Sequence, residues 1–366
     1  MMKQYRTAIY GLIFLFGVSI TPTQLQAQID LSLGGYFWSA FYILDGDKTL
    51  AEKSSSNIVE VNDMQLQEDA EIYFEAKTIL DSGVEIGVEV QLEAATQSNQ
   101  IDAHYLYIKG DWGKLVIGAE DSAAEALQTH APRFLGWKTY DNRWKTWNRL
   151  SEYQDPLHDN IADKANKLTY FTPRTNGLQV GLSFTPDNEN PDGYGTTLTS
   201  VANAEQQDII SVGLNYKYKD DNMSMQTSLT GEQGDAGGRG AQERSEYAIG
   251  LSVTSGKFTL GGNYIDREIK SEINTDRTDI DAVHVGLGYQ LTPSTMIGIG
   301  YHDQENKVTG GATDSQTEIF MLGGHTRLAR GVKFTYSLEQ VDYASNDPDK
   351  VPGETTLAGI ALLLDF

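Results

Sequence analysis

A strict alternation of apolar and polar residues is the feature that most limits how this chain can fold. In residues 84–93 every even position is aliphatic, whereas every odd position is charged, an amide or glycine. Successive side chains of a β-strand point to opposite faces, so this pattern predicts a strand with one apolar face and one mixed, hydrophilic face. The same pattern returns at residues 178–184, 210–218, 247–253, 283–289, 332–338 and 360–366.

The segments between the strands alternate between two lengths. Tight turns such as 81–83 and 329–331 follow one end of the strands, and long acidic loops follow the other end. Short periplasmic turns and long extracellular loops are typical of a transmembrane, antiparallel up-and-down β-barrel, so the predicted fold class is all-β. Closure of such a sheet leaves no backbone edge unpaired in lipid. We predict about sixteen strands, at residues 29–43, 66–80, 84–94, 101–110, 114–120, 166–173, 178–185, 207–219, 223–230, 244–254, 257–266, 280–291, 295–303, 315–328, 331–344 and 355–366.

Composition argues against several other classes of protein. The 366 residues include no Cys and carry a formal net charge of −23. Nucleic acid requires a basic face, so we expect no nucleic-acid partner, and without Cys there is no disulfide, thiolate metal site or Cys nucleophile. The sequence contains no Gly-x-Ser-x-Gly or His-Glu-x-x-His motif. We therefore expect no enzyme, no cofactor and no metal site.

The first 27 residues have the order of a secretory signal peptide. Lys3 and Arg6 precede the apolar run 8–20, which is too short to span a membrane as a helix, and small or polar residues lead up to Ala27. We predict cleavage after Ala27, which leaves residues 28–366 as one outer-membrane barrel domain. Loss of the two basic residues takes the net charge from −23 to −25.

A barrel of sixteen strands is too wide for side chains to fill, so a water-filled passage is expected inside it. The hydrophilic face of the strands is then the wall of the pore. The residues predicted to line that wall are Glu75, Lys77, Glu85, Glu89 and Glu93. Other residues on the inward phase are Lys217, His284, His325, Arg327, Lys333 and Glu339.

The longest loop, residues 121–165, is rich in aromatic and basic residues, unlike the rest of this acidic chain. Aromatic side chains favour burial, and the nearest surface for them is the lumen, so we expect the loop to fold inward and narrow the channel. The aromatics either pin the loop to the wall or neighbouring loops, or also contact solute. The candidate constriction residues are Arg133, Phe134, Trp137, Lys138, Arg143, Trp144, Lys145, Trp147 and Arg149.

Several segments of residues 28–366 are similar to a known family. They are Gly34-Gly35-Tyr36, residues 74–77, residues 105–115 and the terminal Phe366. The chain thereby resembles the trimeric general porins of Gram-negative outer membranes. The resemblance implies a homotrimer surrounded by outer-membrane lipids and lipopolysaccharide, through which small hydrophilic solutes and ions diffuse passively. Phe366, at the end of an alternating strand, looks like the signal read by the barrel-assembly machinery.

The constriction loop departs from the enteric members of that family. Their third loop carries Pro-Glu-Phe-Gly-Gly, whereas residues 132–136 are Pro-Arg-Phe-Leu-Gly, and Thr129 stands where those proteins have an acid. Their opposite wall is basic, whereas the predicted wall here is rich in Glu. We therefore hypothesise a transverse field of exchanged polarity, with a cationic loop and an anionic wall.

Three points stay open from the sequence. A solute-specific channel would use Trp137, Trp144 and Trp147 as stacking surfaces for sugars or aromatic solutes. In the family a latch loop reaches over the adjacent subunit, and the corresponding loop at 95–100 is short, so the latch is reduced or missing. The acidic loops are either simply solvated or bind divalent cations that bridge lipopolysaccharide.

Overall fold

The protein is described by a computed structural model, which covers residues 29–46, 62–94, 100–135, 161–188, 205–238, 242–272, 276–309, 314–346 and 352–366. Sixteen antiparallel strands form one closed barrel in which each strand pairs with its neighbours in the chain and β1 pairs with β16. The strands are β1 Asp30–Gly46, β2 Met64–Ile79, β3 Glu85–Glu93, β4 Ile101–Gly110, β5 Gly113–Ala119, β6 Asn166–Phe171, β7 Leu178–Asp187, β8 Gln206–Lys219, β9 Met223–Ala236, β10 Gln242–Ser255, β11 Phe258–Ser271, β12 Arg277–Thr292, β13 Thr295–Thr309, β14 Ser315–Ala329, β15 Val332–Ser345 and β16 Gly353–Asp365.

The predicted fold class and the number of strands are confirmed, but several strands extend further at the loop rim. β9, β11 and β13 continue to Ala236, Ser271 and Thr309, five or six residues beyond the predicted ends. In these extensions both faces are largely polar, so there is no alternation of apolar and polar residues by which the strand could be recognised in the sequence. The backbone ladder needs no apolar side chain, and it therefore continues above the level of the membrane.

The apolar row of each strand lies on the outside of the barrel. Leu182, Ile249 and Leu362 are exposed by 52%, 55% and 47%, and they belong to rows that run around the whole barrel. An apolar surface of this extent is stable only in contact with lipid or with another subunit. A short helix, α1 (Ala123–Leu127), lies in the described part of the loop after β5. Within the described ranges no helix is long and apolar enough to cross a membrane.

Part of the inner face is apolar, which corrects the prediction of a hydrophilic inner face all round. On β14 to β16 and β1 the inward side chains form a buried cluster with the constriction loop. In β1 both faces are apolar, because the inward Trp38 and Tyr42 alternate with the outward Phe37 and Ile43. Period-two analysis assigns one apolar row to each strand and does not detect a second. The cluster includes Tyr36, Trp38, Tyr42, Phe134, Leu135, Met321, Val341 and Leu363.

Candidate functional site

The loop after β5 turns into the barrel and lies on its inner wall. Ser122 caps α1 by accepting a hydrogen bond from the backbone N–H of Glu125 at 3.3 Å. The backbone N–H of Ala123 donates to Oγ of Ser183 on β7, an inward side chain, at 2.7 Å. The prediction that the loop folds inward is therefore confirmed for its first leg, residues 121–135.

After α1 the loop continues along the wall as extended chain. Nδ2 of Asn215 on β8 donates to the carbonyl of Leu127 at 3.0 Å. The backbone N–H of Thr129 donates to Oγ of Ser228 on β9 at 2.8 Å. These bonds are buried, and each contributes about 1 kcal/mol to holding the loop on the wall.

The far end of the described leg reaches the opposite side of the barrel. Phe134 is fully buried in the apolar cluster, and its carbonyl lies 2.7 Å from Nδ1 of His325 on β14. The loop thus crosses from β6 to β14, half of the circumference. The predicted pinning of the loop by its aromatics holds for Phe134.

A line of inward-facing glycines makes this close contact possible. We define the glycine track as Gly213, Gly250, Gly261, Gly298 and Gly323, on five strands from β8 to β14. A Cβ at Gly250 would lie 1.8 Å from the carbonyl oxygen of Thr129, and one at Gly298 would lie 2.5 Å from the ring of Phe134. Without side chains at these positions, the loop backbone lies directly against the wall. The sequence analysis missed the track, because glycine also fits an ordinary hydrophilic phase.

Half-buried ion pairs hold the root of the loop. Nζ of Lys164 lies 2.9 Å from Asp102 of β4 and 3.4 Å from Asp121. Burial disfavours the charge on Lys164, but the carboxylates of Asp121 and Asp102 outweigh it and raise its pKa. Burial, reinforced by the neighbouring charge of Asp121, raises the pKa of Glu120 to about 7. The sequence analysis did not identify this network, whose members are scattered along the chain.

The returning leg of the loop, residues 161–165, is also fixed to the inner wall. The backbone N–H of Ile161 donates to Oε2 of Glu232 on β9 at 3.0 Å. Ser211 on β8 donates to the other oxygen of the same carboxylate. Nζ of Lys167 on β6 donates to the carbonyls of Asp163, at 2.5 Å, and Glu120. Both described ends of the loop are therefore inside the barrel.

Of the predicted cationic loop residues, the structure describes Arg133. Its side chain is exposed, and one guanidinium nitrogen lies 3.4 Å from Nε2 of His130. Burial, reinforced by the charge of Arg133, lowers the pKa of His130 to about 4, so His130 is neutral at pH 7 and Arg133 carries the charge. The other candidates, Trp137, Lys138, Arg143, Trp144, Lys145, Trp147 and Arg149, lie outside the described residues.

The strand register places all five predicted wall residues on the inner face. Glu75 pairs with Glu89 across β2 and β3, and their row continues through Glu71 and Glu93. Tyrosine side chains, which the sequence analysis did not assign to the pore wall, hold these carboxylates in place. Tyr36 donates to Glu71 at 2.7 Å, and Tyr105 donates to Glu89 at 2.7 Å.

Three further contacts orient the same wall. Tyr107 donates to Glu75 at 3.1 Å, and Nζ of Lys77 lies 3.2 Å from that carboxylate. Asp69 accepts a hydrogen bond from Tyr36 at 3.1 Å. The alternation in β2 and β4 puts Asp69, Tyr105 and Tyr107 on the inner face, so the sequence pattern could have identified them as wall residues. The described contacts of the loop are with β6 to β14, with the apolar cluster to which β15, β16 and β1 also contribute, and with Asp102 near the outer end of β4. The acidic wall of β2 and β3 faces the lumen opposite the middle of this path, since β10 lies eight strands from β2 in the barrel.

A closed sixteen-strand barrel with an apolar outside and a loop folded into its lumen defines a channel protein of the outer membrane. A family model described as "Gram-negative porin" matches residues 18–346. The chain belongs to this family. Family and fold together indicate a channel rather than an enzyme.

Comparison with curated proteins gives distant relatives without a stated function. Uncharacterized proteins of Rickettsia typhi and Rickettsia prowazekii are each 24% identical over 319 residues, which cover 67% of this chain and 71% of each relative. They carry no information on solutes.

Solved structures share the fold at low sequence identity. The loop L8 deletion mutant of OmpT, an outer membrane protein of Vibrio cholerae, has a TM-score of 0.64 and 14% identity, covering 92% of this chain and 99% of that one. The anion-selective porin from Comamonas acidovorans has a TM-score of 0.62 and 14% identity, covering 93% and 100%. The trimer form of in-vitro folded OmpT has a TM-score of 0.62 and 13% identity, covering 92% and 99%.

Proposed function

We propose that the protein is a porin for the passive diffusion of small hydrophilic solutes and ions, and that it catalyses no reaction. The observation that carries this proposal is the position of the described part of the loop. It contacts β6 to β14 and packs in the apolar cluster with β15, β16 and β1, whereas the polar wall of β2 and β3 lies across the barrel from β10. A passage bounded by a polar wall and a fixed loop suits hydrated solutes of limited size.

We further propose that the loop and the wall carry opposite charges across the constriction. Arg133 supplies exposed positive charge on the loop, and Glu71, Glu75 and Glu89 supply negative charge on the wall. Opposed charges in a narrow, low-dielectric passage orient water and dipolar solutes and disfavour apolar ones. The remaining predicted loop cations would add to the same side.

The first prediction concerns this field. The double change Arg133→Glu and Arg143→Glu is expected to shift ion selectivity toward cations and to change single-channel conductance, because it replaces the loop's positive charge with negative charge. Reversal potential under a KCl gradient measures the selectivity. Lys307→Glu is the matched control, since Lys307 pairs with Glu305 on the outer face of β13. Conductance and selectivity equal to those of the unmodified protein would refute the field.

Solute flux tests the proposed function itself. In proteoliposomes, sugars of increasing size should enter at rates that are linear in concentration and that fall sharply above a size limit. A flux that saturates and is blocked by a competing sugar or aromatic solute would instead indicate the solute-specific alternative. Vesicles that stay impermeable to every small sugar, although they contain folded protein, would contradict a channel.

We propose a homotrimer that forms through the outer face of the first strands. The outward apolar row of β1 and β2 continues to the loop rim, where Met64 and Leu66 are exposed by 63% and 77%. At the corresponding rim of β12 to β14 the outward residues include the carboxylates Asp281, Asp303 and Glu318. The apolar side suits another subunit, and the acidic side suits the headgroup level of the membrane.

Three further assignments remain proposals. Residues 1–27 are proposed as a cleaved signal peptide, and lipids with lipopolysaccharide as the surroundings of the barrel. The barrel-assembly machinery is proposed to read the last strand. Phe366 is exposed and pairs through its backbone with Gly35 of β1, with both N···O distances at 3.0 Å. This pairing closes the barrel.

A further inference from the structure

Charges on the inner face are sorted along the axis of the barrel. At the short-turn end, the first inward positions of five strands carry lysine or arginine, although acids outnumber bases almost two to one in the whole chain. We name these residues the inner-rim cations. They are Lys109, Lys114, Lys217, Lys219, Arg327 and Lys333.

Apart from Lys114, whose ammonium lies 4.9 Å from the ring centroid of Tyr107, the inner-rim cations are not arranged to stabilise the barrel. Lys109 pairs directly with Lys114 across β4 and β5, and Arg327 pairs with Lys333 across β14 and β15. Like charges directly opposite each other on adjacent strands are destabilising. Within the described residues, no carboxylate lies at ion-pair distance from any of the six. Their charge therefore acts on the solution in the mouth of the pore.

Among the described residues, negative charge predominates further inside, from the level of the loop toward the long-loop rim. The inner faces of β2 and β3 carry Asp69, Glu71, Glu89 and Glu93 there. On the inner face of this rim the strands carry fewer acids, namely Glu85, opposite Lys109, and the terminal Asp30 and Asp365. Beyond the strand ends the short turns add Asp81, Asp111, Asp220 and Asp221 and the cations Arg174 and Arg330. The pore therefore has an acidic outer segment and a basic inner mouth in series.

We propose that this axial order makes the channel rectify, so that ion current passes more easily in one direction. The proposal rests on the proposed pore function. With the long-loop side positive, cations enter through the acidic segment and anions enter through the basic mouth, so carriers accumulate where the segments meet. With the opposite polarity each ion must enter past charge of its own sign, and the pore is depleted of carriers.

Single-channel current–voltage curves of the full-length protein test the proposal. At 0.1 M KCl we expect a current about 1.5 to 2 times larger when the long-loop side is positive, because the Debye length is about 10 Å. At 1 M KCl the Debye length falls to about 3 Å, and the ratio of the currents at the two polarities should approach one. The variant Ser294→Cys shows which way the channel is oriented in the bilayer. Ser294 is exposed in the turn between β12 and β13 at the inner rim, and the chain has no other Cys. A charged thiol reagent therefore reacts only from the chamber that the inner rim faces.

Substitutions identify the charges responsible. Lys217→Gln, Lys219→Gln, Arg327→Gln and Lys333→Gln together should bring the ratio at 0.1 M close to one. The double variant Arg327→Gln and Lys333→Gln removes a repulsive contact and so should fold. It should bring the current ratio at 0.1 M KCl about halfway from the value of the unmodified protein to one. Lys257→Gln is the matched control, because its ammonium lies at the same rim over Tyr289, on the outer face, 5.8 Å from the ring centroid.

The outcomes separate this inference from the pore function. A channel that conducts with equal current at both polarities in 0.1 M KCl would overturn rectification and leave the porin proposal standing. A ratio that the inner-rim substitutions do not change, or that Lys257→Gln changes equally, would also overturn it. A folded protein that does not conduct would contradict the porin proposal instead.

Discussion

Replacing Gly250 by valine is expected to push the constriction loop off the wall and to raise single-channel conductance by a factor of about two, since the barrel itself is wide. A Cβ at this position would lie 1.8 Å from the carbonyl oxygen of Thr129. The wall cannot yield, because Gly250 is paired on both sides in the sheet. The loop must therefore move, and the hydrogen bond from Thr129 to Ser228 is lost with it.

The energetic balance favours displacement of the loop over loss of the barrel. Overpacking costs about 1–3 kcal/mol, and each hydrogen bond of the loop contributes about 1 kcal/mol. The barrel is held by a continuous ladder that the substitution does not interrupt. Larger sugars should accordingly enter proteoliposomes containing the variant.

A control on the same strand separates loop displacement from general damage. Thr254→Val changes the inner face of the same strand, β10, nearer the short turn, where it exchanges a hydroxyl for a methyl group of similar size and removes the contact with Thr259 without touching the loop. Its conductance should match that of the unmodified protein. If Gly250→Val also conducts like the unmodified protein, and gels confirm a folded barrel, the glycine track does not position the loop.

Neutralising the acidic wall is expected to produce the second large effect. The triple change Glu71→Gln, Glu75→Gln and Glu89→Gln should shift the reversal potential toward anion preference by on the order of 10 mV in a tenfold KCl gradient. Glutamine keeps the size of the side chain and an oxygen that accepts from Tyr36, Tyr105 or Tyr107. The expected change is therefore one of charge with little change of shape.

The outer face of β14, away from the proposed subunit interface, provides the matched control. Glu318 faces outward and accepts a hydrogen bond from Tyr301, so Glu318→Gln removes a charge outside the pore. Its reversal potential should not move. A triple variant with an unchanged reversal potential would show that permeating ions do not pass along this wall.

The strands and their two faces were predictable, because each depends on short-range pattern. The alternation within residues 84–93 assigns each of their side chains to the inner or outer face without reference to the rest of the chain. The inward direction of Glu75 and Glu89 likewise follows from the alternation in their own strands. The buried apolar cluster on β14 to β16 and β1 was not predictable in this way. In β1 the inward Trp38 and the outward Phe37 are both apolar, and a local pattern does not tell which of them contacts lipid.

The sequence by itself therefore determined the barrel, the inward direction of the loop and the charges that face the lumen, since alternation, turn length and aromatic content are properties of neighbouring residues. The tertiary structure alone decided where the loop lies. Gly213, Gly250 and Gly323 stand far apart in the chain, and strand register brings them into one line. Likewise Lys164 meets Asp102 only after the loop has entered the barrel, because an ion pair between distant segments depends on how the whole sheet closes.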